Sequence, residues 1–432
     1  MDEAMKDTQI GQLPMGWDVV PVARLGDVVT GSTPPTKKPE YYGGPYRFIA
    51  PGDLGEHCDI THSEKTLSEA GLAVSRCLPR NSVLVVCIGA TIGKTGMTLD
   101  EKSATNQQIN SVIPNNRVSS HYLYYALTHR ARDLPSLAGR AAVPIVNKSN
   151  FSEFVVPLPP LPEQRVIAHV LRMVQRAKEA TEKAIAAARQ LKQSLMRHLF
   201  TYGPVPFDQA EKVELRETPF GPVPEHWSIN PLDECAIVQT GVAKGKKYGE
   251  GDDVVTVPYL RVANVQDGYL DLSEIKTIDI RRREFDRYAL QVGDVLLTEG
   301  GDFDKLGRGF IWNGEVQGSV HQNHIFAVRA NRRVLLPDFL AFLTQSPYGK
   351  AYFLSVAHRT THLACINTTK LKALPLLLPS LVEQKQIVEM LQAVDHAIAC
   401  RETRRNALDA LFNSLLHHLM TGKVRVHELG LK

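Results

Sequence analysis

A glycine-rich run, Gly89-Ala90-Thr91-Ile92-Gly93-Lys94-Thr95, follows an apolar stretch and is the segment most like a phosphate-binding loop. A P-loop needs four residues between its glycines so that successive backbone N–H groups close around the phosphates; here there are three, which argues against nucleotide binding. The corresponding stretch further along, Gly300-Gly301-Asp302 to Leu306-Gly307-Arg308-Gly309, keeps the glycines and a base but no Gly-Lys-Thr. A glycine turn that presents Lys94 or Arg308 at a hairpin tip suits a phosphate backbone better. His321 and His324 flank Gln322-Asn323, yet no third ligand stands at a metal-site spacing, and the matching stretch reads Asn106-Gln107-Gln108. The amides Gln107, Gln108, Gln322 and Asn323 are candidate base readers, because Asn and Gln pair bidentately with adenine; loop amides also serve to satisfy backbone groups. Asn147 and Asn367 are predicted to cap turns. There is no nucleophile motif, no nuclease-type carboxylate pair and no Asp/Asn-Pro-Pro-aromatic tetrad of an amino-methyltransferase. The expectation is a binding protein without an active site and without a metal.

Basic residues remain. Lys37, Lys38, Arg47, Arg140 and Lys148 lie in the first part of the chain, and Lys244, Lys246, Lys247, Arg261, Arg281-Arg282-Arg283 and Arg359 in the second, near Tyr41, Tyr46, Tyr248 and Tyr259. As a set that recurs, they are candidate contacts to the phosphates and bases of a nucleic acid. Residues 163–201 add eight basic residues against three acidic ones, so attraction to phosphate can include this segment.

These residues sit on a duplicated chain. Ile10-Gly11-x-Leu13-Pro14-x-x-Trp17 returns as Phe220-Gly221-x-Val223-Pro224-x-x-Trp227, and the block from Asn147 to Thr201 matches that from Asn367 to Thr421 without a gap. A repeat this long means two whole domains and an approximate two-fold inside one polypeptide. Two-fold proteins suit paired half-sites on duplex DNA, and two diverged halves suit two different half-sites. Residues 1–160 are rich in short strands bounded by Gly, Pro and Asn, with a helical stretch around His121 to His129. The run Trp17 to Val22 reads as a strand, as do Ser82 to Ile88 and Phe151 to Pro157. After Pro157-Leu158-Pro159-Pro160-Leu161-Pro162 the period changes to 3.6, with apolar residues through Ile167, Leu171, Ile185, Leu191, Leu195 and Leu199. The second copy repeats this: strands over 203–380, then a helix from Glu383 to Met420 whose apolar face takes in Ile387, Met390, Leu391, Val394, Leu408, Leu411 and Leu415. Each helix is too apolar on one face to stand alone, and the obvious partner is the other one, antiparallel. The predicted fold class is α+β: two repeated globular domains (1–160 and 203–380) separated by two long helices (161–202 and 381–432, the latter with a tail). The helices are expected to pack as a pseudo-two-fold antiparallel coiled coil. Arg401, Arg404 and Arg405 interrupt the second seam and leave its register open.

Composition places the chain among ordinary soluble proteins: 432 residues, 43% hydrophobic and 22% charged, with a formal charge of only +4. No apolar run approaches a membrane span, and the acidic start Met1-Asp2-Glu3 is unlike a signal peptide. Six cysteines without a CxxC pair fit reduced thiols. The expected location is cytoplasmic.

The two tryptophan motifs, the junctions Pro157-Leu158-Pro159-Pro160-Leu161-Pro162-Glu163-Gln164 and Leu378-Pro379-Ser380-Leu381-Val382-Glu383-Gln384, and the glycine turn Gly89 to Gly96, in this order and twice, resemble the specificity subunit of type I restriction-modification systems. The resemblance implies two target recognition domains, each reading one half of a split asymmetric sequence in double-stranded DNA, with the helices as spacers. It also implies two modification subunits as partners, which bring S-adenosylmethionine and adenine methylation, and restriction subunits that use ATP and Mg to translocate and cleave. The chain itself would carry no cofactor. Two other readings compete: a coiled-coil scaffold without a nucleic-acid role, and a self-contained DNA-modifying enzyme, which would need the missing tetrad.

Overall fold

The computed structural model describes residues 4–55, 57–139, 143–301, 306–359 and 364–426. By compactness the chain divides into one unit of residues 1–184 with 401–432 and another of residues 185–400. This division differs from one that sets the helices apart from the domains. Half of each helix belongs to each unit, because the helix ends are part of the domain cores.

In the first unit the main sheet has the order Gly26–Thr30, Ile109–Pro114, Val83–Val86, Thr95–Thr98, Asp59–Ile60. A smaller sheet joins Ala104–Thr105, Tyr42–Ile49 and Lys65–Leu67. The run Val83-Leu84-Val85-Val86 is wholly buried, and its alternate side chains enter different cores. Val83 and Val85 meet Tyr122 and Tyr125 of the helix Ser120–His129, while Leu84 and Val86 meet Ile49 and Leu54. A strand covered on both faces reads as a continuous apolar run for that reason. Asp18–Pro21 pairs antiparallel with Val155–Leu158, so the domain closes its own ends just before the long helix starts. Phe151 is not in that last strand: Lys148–Glu153 is a helix, capped by Asn147, whose Oδ1 accepts the Asn150 N–H at 2.8 Å.

The second unit repeats the plan. Its main sheet runs Ala236–Thr240, Ile325–Ala330, Asp294–Thr298, Gly309–Ile311, and its smaller sheet Lys276–Arg281, Val254–Leu260, Val320–His321. Ser228–Pro231 closes on Pro375–Leu378, and Asn367 caps Thr368–Lys372 through Lys370 N–H at 2.9 Å.

The first long helix is Leu161–Tyr202 and the second Leu381–Met420, 42 and 40 residues, or roughly 63 and 60 Å at 1.5 Å per residue. Pro159-Pro160 and Pro379 end the preceding strands, and a reciprocal box starts the second helix: Glu383 N–H donates to Ser380 Oγ (3.3 Å) and Ser380 N–H to Glu383 Oε2 (3.1 Å). Left-handed Gly203 (φ +81°) and Gly422 (φ +65°) turn the chain out of the two helices.

Within each unit the halves run antiparallel. In the first, Glu163 meets Arg425 (2.8 Å) and Lys178 meets Asp409 (2.6 Å), so the residue number rises along one segment as it falls along the other. In the second, Lys192 meets Asp395 at 2.6 Å and Gly203 lies beside Glu383. Residues turned inward on the second helix follow spacings of three and four through Gln384, Val388, Leu391, Asp395, Ile398, Glu402, Arg405, Asp409, Phe412, Leu416 and Leu419. Arg405 falls at one of these positions, half-buried and bonded to the neighbouring Asn406 (2.9 Å); Arg401 is half-buried and Arg404 exposed. The expected apolar stripe is corrected at three places: Leu191 (53% exposed), Met390 (42%) and Leu411 (45%) face outward. Lys and Asp partners stand along the seam; at 20–39% exposure each pair adds little stability, but opposite charges face each other only in this register.

The repeated motifs meet in each unit. The indole N–H of Trp17 donates to Glu163 at 3.0 Å, and that of Trp227 to Glu383 at 3.2 Å. The neighbouring Gln164 accepts the Ser119 N–H and donates to Arg117 O and Pro159 O; Gln384 does the same with Leu336, Val334 and Pro379. Each Glu-Gln pair thus bolts a helix start to its domain.

Candidate nucleic-acid interface

In the first domain the glycine run is the turn of a hairpin between antiparallel strands, so it lacks the strand-to-helix geometry of a P-loop. Val86 N–H donates to Lys94 O (2.9 Å) and Gly93 N–H to Val86 O (3.0 Å). Gly89 (φ +97°) and Gly93 (φ +96°) take up conformations that only glycine adopts readily, and a Cβ at Gly93 would stand 2.7 Å from Ala131 O. Lys94 is exposed, its stem lying against Gly55. The second domain matches this ladder position: Thr298 N–H donates to Arg308 O at 2.9 Å. Arg308 is half-buried, donates from Nη1 to Gln266 Oε1 (2.9 Å), and has a buried Nε without a partner among the described residues.

Beside each hairpin lies the amide loop, between the short strand of the smaller sheet and the central strand of the main one. Ser32 N–H donates to Thr105 O and Val242 N–H to His321 O, which makes Asn106-Gln107-Gln108 the counterpart of Gln322-Asn323-His324. Thr-Gly packs against both: a Cβ at Gly31 would be 2.0 Å from Asn106 O, and one at Gly241 2.0 Å from His321 O. Cys87 N–H donates to Gln108 O and Glu299 N–H to His324 O, so hairpin and loop are joined at equivalent backbone positions.

The side chains of these loops are partly committed. Gln107 is exposed and accepts the Thr33 hydroxyl. Gln108 accepts from Asn106 Nδ2 at 3.0 Å, and Asn106 Oδ1 accepts the Gln108 N–H at 3.0 Å. Gln322 accepts the Val262 N–H (3.3 Å), so its carbonyl is spent inside the fold. Asn323 makes a long contact with His324, whose Nδ1 meets Glu299 at 2.5 Å. From sequence, His324 was weighed only as a metal ligand and Asn106 only as part of its amide run, neither as a base reader, and Glu299 was not named. The signal available was only the repeat itself, which places them at matched positions.

The basic residues divide. Lys37, Lys38, Lys148, Lys244 and Lys247 are exposed; Lys38 lies over Tyr41 (5.2 Å) and Lys244 over Tyr259 (6.0 Å). Lys246 is exposed over Tyr288 at 5.8 Å and reaches Glu284 at 3.5 Å. Arg47 and Arg261 have acidic partners within the fold. Arg47 is bound to Asp100 and to Thr61 O, and Arg261 to Glu274 (2.9 Å), whose carboxyl it holds below its usual range. Both guanidiniums tie strands to loops, so a phosphate would have to share them with these carboxylates. Arg140 lies outside the described residues, as does the side chain of Arg359.

His321 is fully buried and donates from Nδ1 to Ile325 O at 3.0 Å, and burial pushes its pKa down to about 4. Among the described residues no His, Cys, Asp and Glu cluster fit for a metal occurs. Because the folded value lies below the ordinary 6.5, the unfolded chain takes up the proton more readily. Stability present above about pH 6.5 is therefore lost as pH falls toward 4, by about 3 kcal/mol at most. His321→Gln, which keeps a donor to Ile325 O, is expected to flatten this dependence in urea unfolding between pH 7.5 and 4.5. Equal pH dependence in variant and parent would show that another group is responsible.

Two mixed domains of one topology, each joined to halves of two antiparallel helices and each with a glycine hairpin beside an amide loop, define a duplicated recognition protein. A family model, Type I restriction modification DNA specificity domain, matches it twice, over residues 14–188 and 224–410, and the chain belongs to that family. It is 25% identical over 445 residues to the type I restriction enzyme MjaVIII specificity subunit of Methanocaldococcus jannaschii, covering 99% of this chain and 98% of the relative. To the EcoKI specificity subunit of Escherichia coli it is 24% identical over 436 residues, covering 96% and 90%. In fold it is similar to the crystal structure of the type I restriction-modification S subunit from M. genitalium, with a TM-score of 0.56 at 14% identity over 93% of this chain and 96% of that one. Among the described residues no helix is long and apolar enough to cross a membrane.

Proposed function

We propose that this chain is the DNA-reading subunit of a type I restriction-modification assembly, each domain reading one half of a split, asymmetric duplex target. The observation that carries this is the pair of DNA specificity domains whose equivalent loops differ residue by residue, Asn106-Gln107-Gln108 against Gln322-Asn323-His324. Different side chains on one scaffold read different base pairs. Lys94 and Arg308, at matched places in the hairpins, and the exposed lysines supply phosphate contacts that position the loops without carrying sequence information. Two modification subunits are the partners that bring S-adenosylmethionine and methylate adenine; restriction subunits bring ATP- and Mg-dependent translocation and cleavage. The chain itself supplies recognition and no catalytic step.

The test is to map methylated adenines in cells that express the chain with its modification subunits. A two-part motif with a fixed gap is expected. No motif, together with duplex binding that does not respond to salt, would leave the scaffold reading. Lys94→Ala should weaken binding alike on all duplexes and lower the salt slope by about 0.9, the value for one phosphate contact. An unchanged slope would remove this turn from the interface.

A further inference from the structure

The loop of the first domain fixes which end of a glutamine faces outward. Asn106 Oδ1 accepts a backbone N–H, that of Gln108, at 3.0 Å; a backbone N–H can only donate, so the orientation of the Asn106 amide is set. Its Nδ2 is then the atom that faces the side chain of Gln108, and the 3.0 Å contact requires the Gln108 carbonyl Oε1 there. The Gln108 amino group, Nε2, is left as the free end. It lies beside Gly89, at 3.8 Å from where a Cβ would be, and among the described residues it has no protein partner. Gly89 thus leaves the space next to this amino group open.

We propose that Gln108 reads one base pair of the first half-site through this amino group, and that Asn106 is the positioning residue that decides its polarity. The inference rests on the DNA-reading function above. A locked glutamine with its carbonyl turned inward is a donor, whereas bidentate pairing with adenine needs both ends of the amide. Its two hydrogens are matched best by guanine, whose O6 and N7 both accept, or by thymine O4; adenine also accepts at N7, but its adjacent N6 amino group then faces a donor and not an acceptor, so a keto base is the one selected. At the equivalent place in the second domain stands His324, held at Nδ1 by Glu299 (2.5 Å), so the two domains present different atoms from the same backbone position.

Three variants test this in methylation maps of cells carrying the chain and its modification subunits. In Gln108→Glu, one carboxylate oxygen takes the Asn106 Nδ2 contact and the other faces outward as an acceptor. In Asn106→Asp, the carboxylate keeps the Gln108 N–H but can no longer donate to the Gln108 carbonyl; it attracts the amino group instead and turns the carbonyl out. Both are expected to change one position from a keto base to an amino base, adenine or cytosine, in the half-site assigned to the first domain by replacing residues 18–156 with the same region of a related specificity subunit. Gln108→Ala should lose roughly 10- to 100-fold discrimination at that position only. The second half-site and the gap stay as they are. A parent motif with no guanine or thymine affected, or all three variants keeping the parent motif, would overturn the assignment. So would loss of preference at several positions together, with thermal unfolding unchanged. Failure of the DNA-reading function itself would look different, as a parent chain that yields no motif at all.

Discussion

Trp17→Ala is expected to destabilise the first domain by roughly 3–5 kcal/mol, the range for removing a fully buried aromatic side chain. The indole is 0% exposed and packs in one core with Leu13, Ile167, Leu171 and Leu419. Its N–H is bound by Glu163, which also takes the Arg425 guanidinium at 2.8 Å, and Gly422 turns the chain against the ring edge. The substitution therefore opens a cavity where a domain, the start of one helix and the end of the other come together. Glu163→Gln keeps an acceptor for the indole but removes the charge from Arg425, and about 1–3 kcal/mol is expected. The same experiment at Trp227 should cost as much, since it is 1% exposed and bound to Glu383. Guanidinium unfolding measures both; a cost below about 1 kcal/mol for either tryptophan would show that the motif is not a structural joint.

The second large effect is on the target itself. With the helices as spacers, lengthening them is expected to lengthen the unread gap between the half-sites and to leave both half-site sequences unchanged. An insertion after Ala187 alone would move Lys178 and Lys192 apart on the first helix while Asp409 and Asp395 stayed where they are on the second. A matched insertion of four residues after Ala187 and after Ala399 keeps both ion pairs. Four residues add about 6 Å, against ~3.4 Å per base pair, so a gap longer by one or two is expected in the methylation map. An active variant with the original gap would rule out the helices as the ruler.

Much of this molecule could be read without coordinates, for physical reasons. A duplication leaves a period in the chain itself, so two copies of one architecture follow from the spacing of Trp17 and Trp227 and of Glu163 and Glu383. Prolines stop strands, and an uninterrupted 3.6-residue period makes a helix wherever it occurs, so both long helices were legible. The P-loop could be dismissed by counting residues between glycines, because its chemistry depends on that spacing.

What lay beyond reach were contacts between residues far apart in the chain. Leu191, Met390 and Leu411 fit an apolar stripe as well as any neighbour does; the face turned inward is the one where Lys178 meets Asp409 and Lys192 meets Asp395, and a single helix pattern holds no information about the facing one. Arg47 and Arg261 look like any surface base until Asp100 and Glu274 are seen beside them. Gln108 could be named as an amide in a loop, but which of its two ends faces outward is a matter of a few ångströms around Asn106. Residue type determined that these positions can hydrogen-bond. Only the packed chain, by spending some donors and acceptors inside and leaving others out, decided which of them are left to meet a partner.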